Sequence, residues 1–318
     1  MAGQIFKKLL SIIPLMLAVS ILLFILINAL PGDASMSVMS EASSKEYVEA
    51  MRQKMGLDKP PVERYFVWLK DALRGNLGSS LLTTETVAEK LALRFPITME
   101  ITLVAMLISV IIALPLGVLS ALKRNSIYDI AGSLVSMVGV AMPSFWLGLL
   151  LVMYFAVGKR LLPASGFVSF AEDPVGNIRC IILPCLSVGF GFAATIMRQT
   201  RSALLEVLEQ DYIMTAYAKG IKHKVVIWRH AMRNALIPVL TVTAMQIGRL
   251  IGGAVVTETV FAIPGMGTAI VSAITNRDYP VAMGMILVVV AVVVIINTLV
   301  DVLYLLIDPR ISTKAKKG

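Results

Sequence analysis

The chain has 318 residues, 57% of them hydrophobic and only 15% charged, with a mean hydropathy of +0.82 and a formal charge of +9. Soluble domains carry about 25% charged residues, so this composition excludes an ordinary soluble domain and places the chain in a bilayer. The basic residues sit beside apolar runs without interleaved aromatic platforms, which argues for orientation in a membrane and against nucleic-acid binding.

The first apolar run, Leu9 to Leu30, follows Lys7 and Lys8. It outlasts the roughly 7–15 apolar residues of a signal peptide, so it reads as an uncleaved first span. Residues 31–95 have balanced charge and helical patterns at Tyr47 to Met55 and Val62 to Leu73, ending in "RGNLG". Tyr65, Phe66, Trp68 and Leu73 give this loop the apolar content of a small folded helical cap outside the membrane, where a disordered linker would be poorer in such residues.

Further spans are predicted at Ile97 to Leu122, Asp129 to Val157, Cys180 to Met197, Ala235 to Thr257 and Pro280 to Ile307, each near or above the about 20 residues that cross a bilayer as helix. The fold class is therefore an all-α membrane protein of six transmembrane helices. Pro115 and Pro143 lie inside spans, and the length of Asp129 to Val157 predicts a bend at "GVAMPSF". The pairs Gly132/Ser136 and Gly248/Gly252 put small residues at helical spacing, which permits close backbone approach. Cys180 and Cys185 match no redox or zinc spacing and read as packing residues.

Orientation follows from Lys and Arg in short loops. An inside N-terminus gives the inner segments Lys7, Lys8, Lys123, Arg124, seven basic residues from Arg198 to Arg233, and Arg310, Lys314, Lys316 and Lys317, against Lys159, Arg160, Arg179 and Arg277 outside. Both termini are thus expected in the cytoplasm. The division that results is 1–30, N-terminus and first transmembrane helix; 31–95, extracytoplasmic cap; 96–307, a five-span core with a cytoplasmic loop at 198–235; and 308–318, a cytoplasmic tail.

Several chemistries lack their residues. No Gly-x-x-x-x-Gly-Lys-Ser/Thr loop occurs, so ATP hydrolysis by this chain is not expected. The two histidines, His223 and His230, both fall in the basic segment, which leaves no histidine inside a span to act as base or metal ligand. Glu258 and Asp301 are solitary acids near span ends, unlike the paired carboxylates of proton-coupled carriers. Arg249 is the charge set deep in a span, at a cost of about 2.5–3.5 kcal/mol on insertion scales if uncompensated. Together with Gln246 it can line a translocation pathway and meet a substrate carboxylate, or it can snorkel to the outer surface as a structural residue.

Between spans lies "RQTRSALLEVLEQ" and then "DYIMTAYAKGI". In the second stretch Ala216, Ala218 and Gly220 keep side chains small while Tyr212, Tyr217 and Lys219 project, and Gly220 can end a short helix in a left-handed conformation. The residues alone fit a docking helix and an ordinary solvated basic loop equally.

Set beside "MGLDKPPVERY", "GNLGSS", "AMPSFWLG", "LPASG", "MRQTRSALLEVLEQDYI", "GGAVVTETVFAIPGMG" and "NRDYPVAMG" in that order, the segment resembles the permeases of binding-protein-dependent ABC importers, in their dipeptide, oligopeptide and nickel branch. The family's Glu-Ala-Ala, three residues, Gly signature falls on Met214, Thr215, Ala216 and Gly220, followed by "RHAMRNALIP"; Met214 replaces the acidic residue. The resemblance covers nearly the whole chain and is strongest to the permease with the longer loop after its first span.

That resemblance implies a type I importer fold and a non-catalytic subunit forming half of an alternating-access path for di- or oligopeptides. A nickel or other small-solute importer is the alternative within the family, and a self-sufficient channel or secondary carrier the rival outside it. The implied partners are a second, homologous permease in a heterodimer, two ATPase subunits that bind ATP and Mg, an extracytoplasmic binding protein and the lipid of the bacterial cytoplasmic membrane. Asp211, Tyr212, Thr215, Ala216, Tyr217, Ala218, Lys219, Gly220 and Ile221 would form the coupling helix; no cofactor or metal is expected on this chain.

Overall fold

In hydrocarbon a backbone N–H or C=O has no water to bond, so a spanning chain must satisfy these groups within itself. The predicted apolar runs are accordingly helical. The structure, a computed structural model, describes residues 2–29 and 59–307. Its helices are α1 (Ala2–Ala29), α2 (Pro61–Ala72), α3 (Val87–Leu122), α4 (Ile127–Ala141), α5 (Ser144–Gly158), α6 (Pro174–Leu208), α7 (Asp211–Ala218), α8 (His223–Val260), α9 (Met266–Thr275) and α10 (Tyr279–Ile307). Among the described residues the sole β-pairing is the isolated bridge Ser79–Thr86. Among the described residues five helices, α1, α3, α6, α8 and α10, are long and apolar enough to cross a membrane, and α4 with α5 makes a sixth, broken span.

Local chemistry sets the helix limits. Thr86 and Glu89 form a reciprocal capping box: the Glu89 carboxylate accepts from the Thr86 N–H at 2.7 Å, and the Thr86 hydroxyl accepts from the Glu89 N–H at 3.2 Å. For this reason α3 starts at Val87, well before the predicted Ile97. Asp173 caps α6 by accepting from the N–H groups of Val175 and Gly176 at 3.1 and 3.0 Å, with Pro174 in the first turn. The predicted bend at Pro143 is a full break of 104°. Met142 adopts an extended conformation (φ −79°, ψ 123°), as a residue before proline prefers, and the Pro143 carbonyl starts the next helix by accepting from Trp146 and Leu147. The predicted helix at Val62 to Leu73 is α2; the one at Tyr47 to Met55 lies outside the described residues.

The described residues form two compact units. One is drawn from Ala2–Thr98 and Pro264–Val294. In its core Phe24 and Ile27 of α1 join Tyr65, Val87, Met266, Ala273, Val281 and Met285. Phe24 meets Tyr65 edge to face at 5.4 Å, and the Tyr65 hydroxyl is 2.8 Å from Ser20 Oγ, which gives the buried phenol a polar partner. The "GNLGSS" loop is held by Asp278, whose carboxylate accepts from Ser80 Oγ and, at 3.0 Å, from the Leu81 N–H. Arg94 donates to the Pro264 carbonyl at 3.0 Å, and Thr98 Oγ1 accepts the Met266 N–H at 2.8 Å at the head of α9.

The other unit, Met99–Ile263 with the described residues from Ile295 onward, is organised around α6. Glycines bring neighbouring backbones onto it. A Cβ on Gly117 would sit 2.7 Å from Thr200 Cβ and 2.8 Å from the Met197 carbonyl oxygen, and on Gly139, 2.7 Å from Ala194 Cβ; on Gly132 it would meet the tip of the Met197 side chain. This is packing of the small-residue kind that binds helices where lipid supplies no hydrophobic drive. Ser109 Oγ donates to the Ala105 and Gly189 carbonyls at 2.6 and 2.8 Å, and the buried Cys185 thiol lies 3.6 Å from the Ile101 carbonyl oxygen. Both cysteines are free. Of the small pairs named from the sequence, Gly132/Ser136 makes such a contact, whereas a Cβ on Gly252 meets nothing within 4 Å.

Gly117→Leu should therefore lower the stability of the purified protein by about 1–3 kcal/mol or more through overpacking, while Gly252→Ala leaves it unchanged. Thermal unfolding in detergent, followed by intrinsic fluorescence, distinguishes the two.

Candidate functional site

Helix α6 ends at Leu208, and the chain turns through Glu209 and Gln210 into α7 before returning through α8. Ile213 and Ala216 are buried, one on each turn of α7, and seat it on the chain. Tyr212, Met214, Thr215, Tyr217, Ala218 and Lys219 are exposed. The helix stops in a Schellman motif: Gly220 has φ +73°, its N–H donates to the Tyr217 carbonyl at 2.9 Å, and the Ile221 N–H donates to the Ala216 carbonyl at 3.3 Å. A residue with a Cβ would adopt this φ only at a cost.

Two tyrosines brace α7 from either end. Asn234 Nδ2 donates to Tyr212 Oη at 2.7 Å. Tyr217 Oη lies 2.8 Å from His223 Nδ1, and the two rings stack at 5.8 Å and 21°. Beyond His223 the backbone widens into a π-helical turn, Val226–Ala231, with Val226, Ile227 and Ala231 buried. The result is a short, stiff helix that offers one face to solvent.

The structure sorts the residues predicted for this site. Asp211, Tyr212, Thr215, Tyr217, Ala218, Lys219 and Gly220 lie on the open face or its rim, and Ile221 is half-buried. Ala216 lies on the opposite side: at 7% exposure its methyl group faces inward and takes part in seating the helix. The i, i+3 spacing of Ile213 and Ala216 was the signal for this. Arg249 is exposed on α8 and points a guanidinium N–H at Gln246 Oε1 at 3.4 Å. Gln246 itself is buried, so of the two only Arg249 presents its side chain outward from this chain.

A second feature joins Arg201, one of the basic residues predicted for the cytoplasmic loop, to Asp129 at the start of a predicted span. Arg201 Nε and Nη2 donate to Asp129 Oδ1 and Oδ2 at 2.5 and 2.8 Å, a bidentate pair with the carboxylate buried. Asp129 also accepts from Ser120 Oγ at 2.6 Å and from the Asn125 N–H at 3.0 Å. An acid in the first turn of an apolar span is the one trace the pair leaves in sequence.

Residues 113–313 match the family described as binding-protein-dependent transport system inner membrane component, and residues 1–102 match its N-terminal companion. The chain belongs to this family. The permease is 41% identical over 333 residues to the di/tripeptide transport system permease protein DppB of Pseudomonas aeruginosa, covering 98% of this chain and 99% of that protein. It is 39% identical over 333 residues to the dipeptide transport system permease protein DppB of Alkalihalophilus pseudofirmus, covering 98% and 100%. With DppB of Escherichia coli K12, also named a dipeptide transport system permease protein, the identity is 36% over 334 residues and the cover 98% of each chain. Membership makes the protein a multi-pass membrane component of an ABC importer, with the type I permease fold, in a system that includes an ATPase and a binding protein.

Because α7 depends on a left-handed residue at its end, Gly220→Val should loosen it by about 1–2 kcal/mol. Hydrogen exchange of the permease in detergent should show amides 220 and 221 opening about tenfold faster, while Gly220→Asn stays near wild type because asparagine tolerates positive φ.

Proposed function

We propose that the permease forms half of the translocation pathway of a bacterial di- or oligopeptide importer, and that α7 is the coupling helix which docks on an ATPase subunit. The observation that carries the reading is the braced, solvent-facing α7 between two spans of a chain in this family. Peptide is the substrate class favoured by the relatives' names over nickel or another small solute. The excess of Lys and Arg in the segments around α7 and at both ends puts these in the cytoplasm. The described part of the loop after the first span, residues 59–86 with α2, then lies on the extracytoplasmic side, from which a binding protein delivers substrate.

The working cycle follows from rigidity. A second, homologous permease completes the path as a heterodimer, and two separate ATPase subunits bind ATP and Mg and carry out hydrolysis. When ATP draws the ATPases together, each docked helix moves as a body and biases its permease toward the outward-open state; separation after hydrolysis reverses the bias. Within α7 the contact falls to Tyr212, Thr215, Tyr217, Ala218, Lys219 and the rim at Asp211, Gly220 and Ile221. Met214, exposed where the family carries an acid, makes this contact more apolar than one built on a carboxylate. Arg249 faces the shared path and meets the substrate carboxylate.

Gly220→Asp tests the docking. No atom lies within 4 Å of a Cβ at this position and aspartate tolerates positive φ, so the permease folds and inserts. The side chain nevertheless stands on the docking face, and ATP-driven uptake by the reconstituted transporter should fall at least tenfold, on the order of 1.4 kcal/mol. Normal uptake would count against α7 as the docking element. For the substrate, di- and tripeptides added with the binding protein should stimulate the ATPase of the complete transporter. Stimulation by nickel chelates alone would overturn the peptide reading.

A further inference from the structure

We infer that the Asp129–Arg201 pair is the pin that turns displacement of α7 into displacement of α3 and α4, a positioning role that rests on the reading of α7 as the docking element. Arg201 stands on α6 about two turns before that helix ends at Leu208, ahead of α7. The end of α6 is the stem on which α7 is carried.

The carboxylate that Arg201 grips is itself tied to three pieces of backbone. Asp129 belongs to the first turn of α4, accepts from Ser120 near the end of α3, and accepts from the N–H of Asn125 in the turn between them, where Asn125 holds φ +63°. One buried group thus joins the stem of α7 to the α3–α4 hairpin. The contact is tight on both sides of the pair, since the Cβ positions of Gly117 and Gly132 run into Thr200 and Met197 of the same stem.

The geometry suits transmission of a push. A bidentate guanidinium–carboxylate contact fixes distance, plane and register together, whereas apolar side chains in contact slide over one another at little cost. A second pair, Arg124 Nη1 to Glu209 Oε1 at 2.9 Å, links the same hairpin to the chain just after the stem, but both side chains are exposed at 57% and 68%. Screened by solvent, that pair contributes little and serves as the control.

The test uses the complete transporter in proteoliposomes, with its second permease, ATPases and binding protein, and reads peptide imported per ATP hydrolysed. In Asp129→Leu/Arg201→Met both charges leave together, so no buried charge is stranded and the chain folds, as apolar replacements of buried ion pairs do. The variant should assemble and hydrolyse ATP, with peptide per ATP lower by about fivefold or more. Arg124→Ala/Glu209→Ala should keep the wild-type ratio.

A wild-type ratio in the first variant would overturn the pin, as would its failure to assemble, which would make the pair a folding element only. An equal fall in the control would also overturn it, by showing that any loosening of the loop has the same effect. Failure of the wild-type transporter to import peptide on ATP would instead sink the underlying proposal of function.

Discussion

The need to satisfy every backbone group without water governs the spans of this structure. It makes the apolar runs helical and confines irregular backbone to places where other groups take over the bonding. At Met142 and Pro143 the span breaks, and the Pro143 carbonyl takes up the N–H groups of Trp146 and Leu147. Outside the hydrocarbon, where water is at hand, the Schellman bonds of Gly220 and Ile221 close the end of α7. Capping side chains complete the pattern at Thr86 and Asp173.

With hydrogen bonding settled inside each helix, packing between helices falls to shape. Gly117, Gly132 and Gly139 remove the side chains that would hold α3 and α4 away from α6, and serine hydroxyls such as Ser109 bridge the backbones that then meet. The same close contact brings Arg201 within reach of a carboxylate that the membrane environment would otherwise make costly to bury.

The site combines opposed requirements. Helix α7 has to be held firmly by its own chain and yet leave one face open, and the sequence divides these tasks by position: Ile213 and Ala216 turn inward, while the residues between them turn out. Tyr212 and Tyr217 do both, since their rings remain partly exposed while their hydroxyls are held by Asn234 and His223. In the proposed docking role, a helix that frayed would absorb a push instead of passing it on.

Much of this was legible in the residues. Apolar run lengths determined the helices and Pro143 the break; Gly220 determined where α7 stops, because only a residue tolerant of positive φ fits there. What pattern could not decide was partnership across long stretches of chain. Ala216 reads as a small residue on an open face until its burial shows otherwise, Asp129 and Arg201 lie 72 residues apart and read as a span end and a loop charge, and Gly132 and Gly252 look alike although only the first has a neighbour against it. Periodicity reports which side of a helix a residue occupies, and tertiary structure alone decides what that side meets.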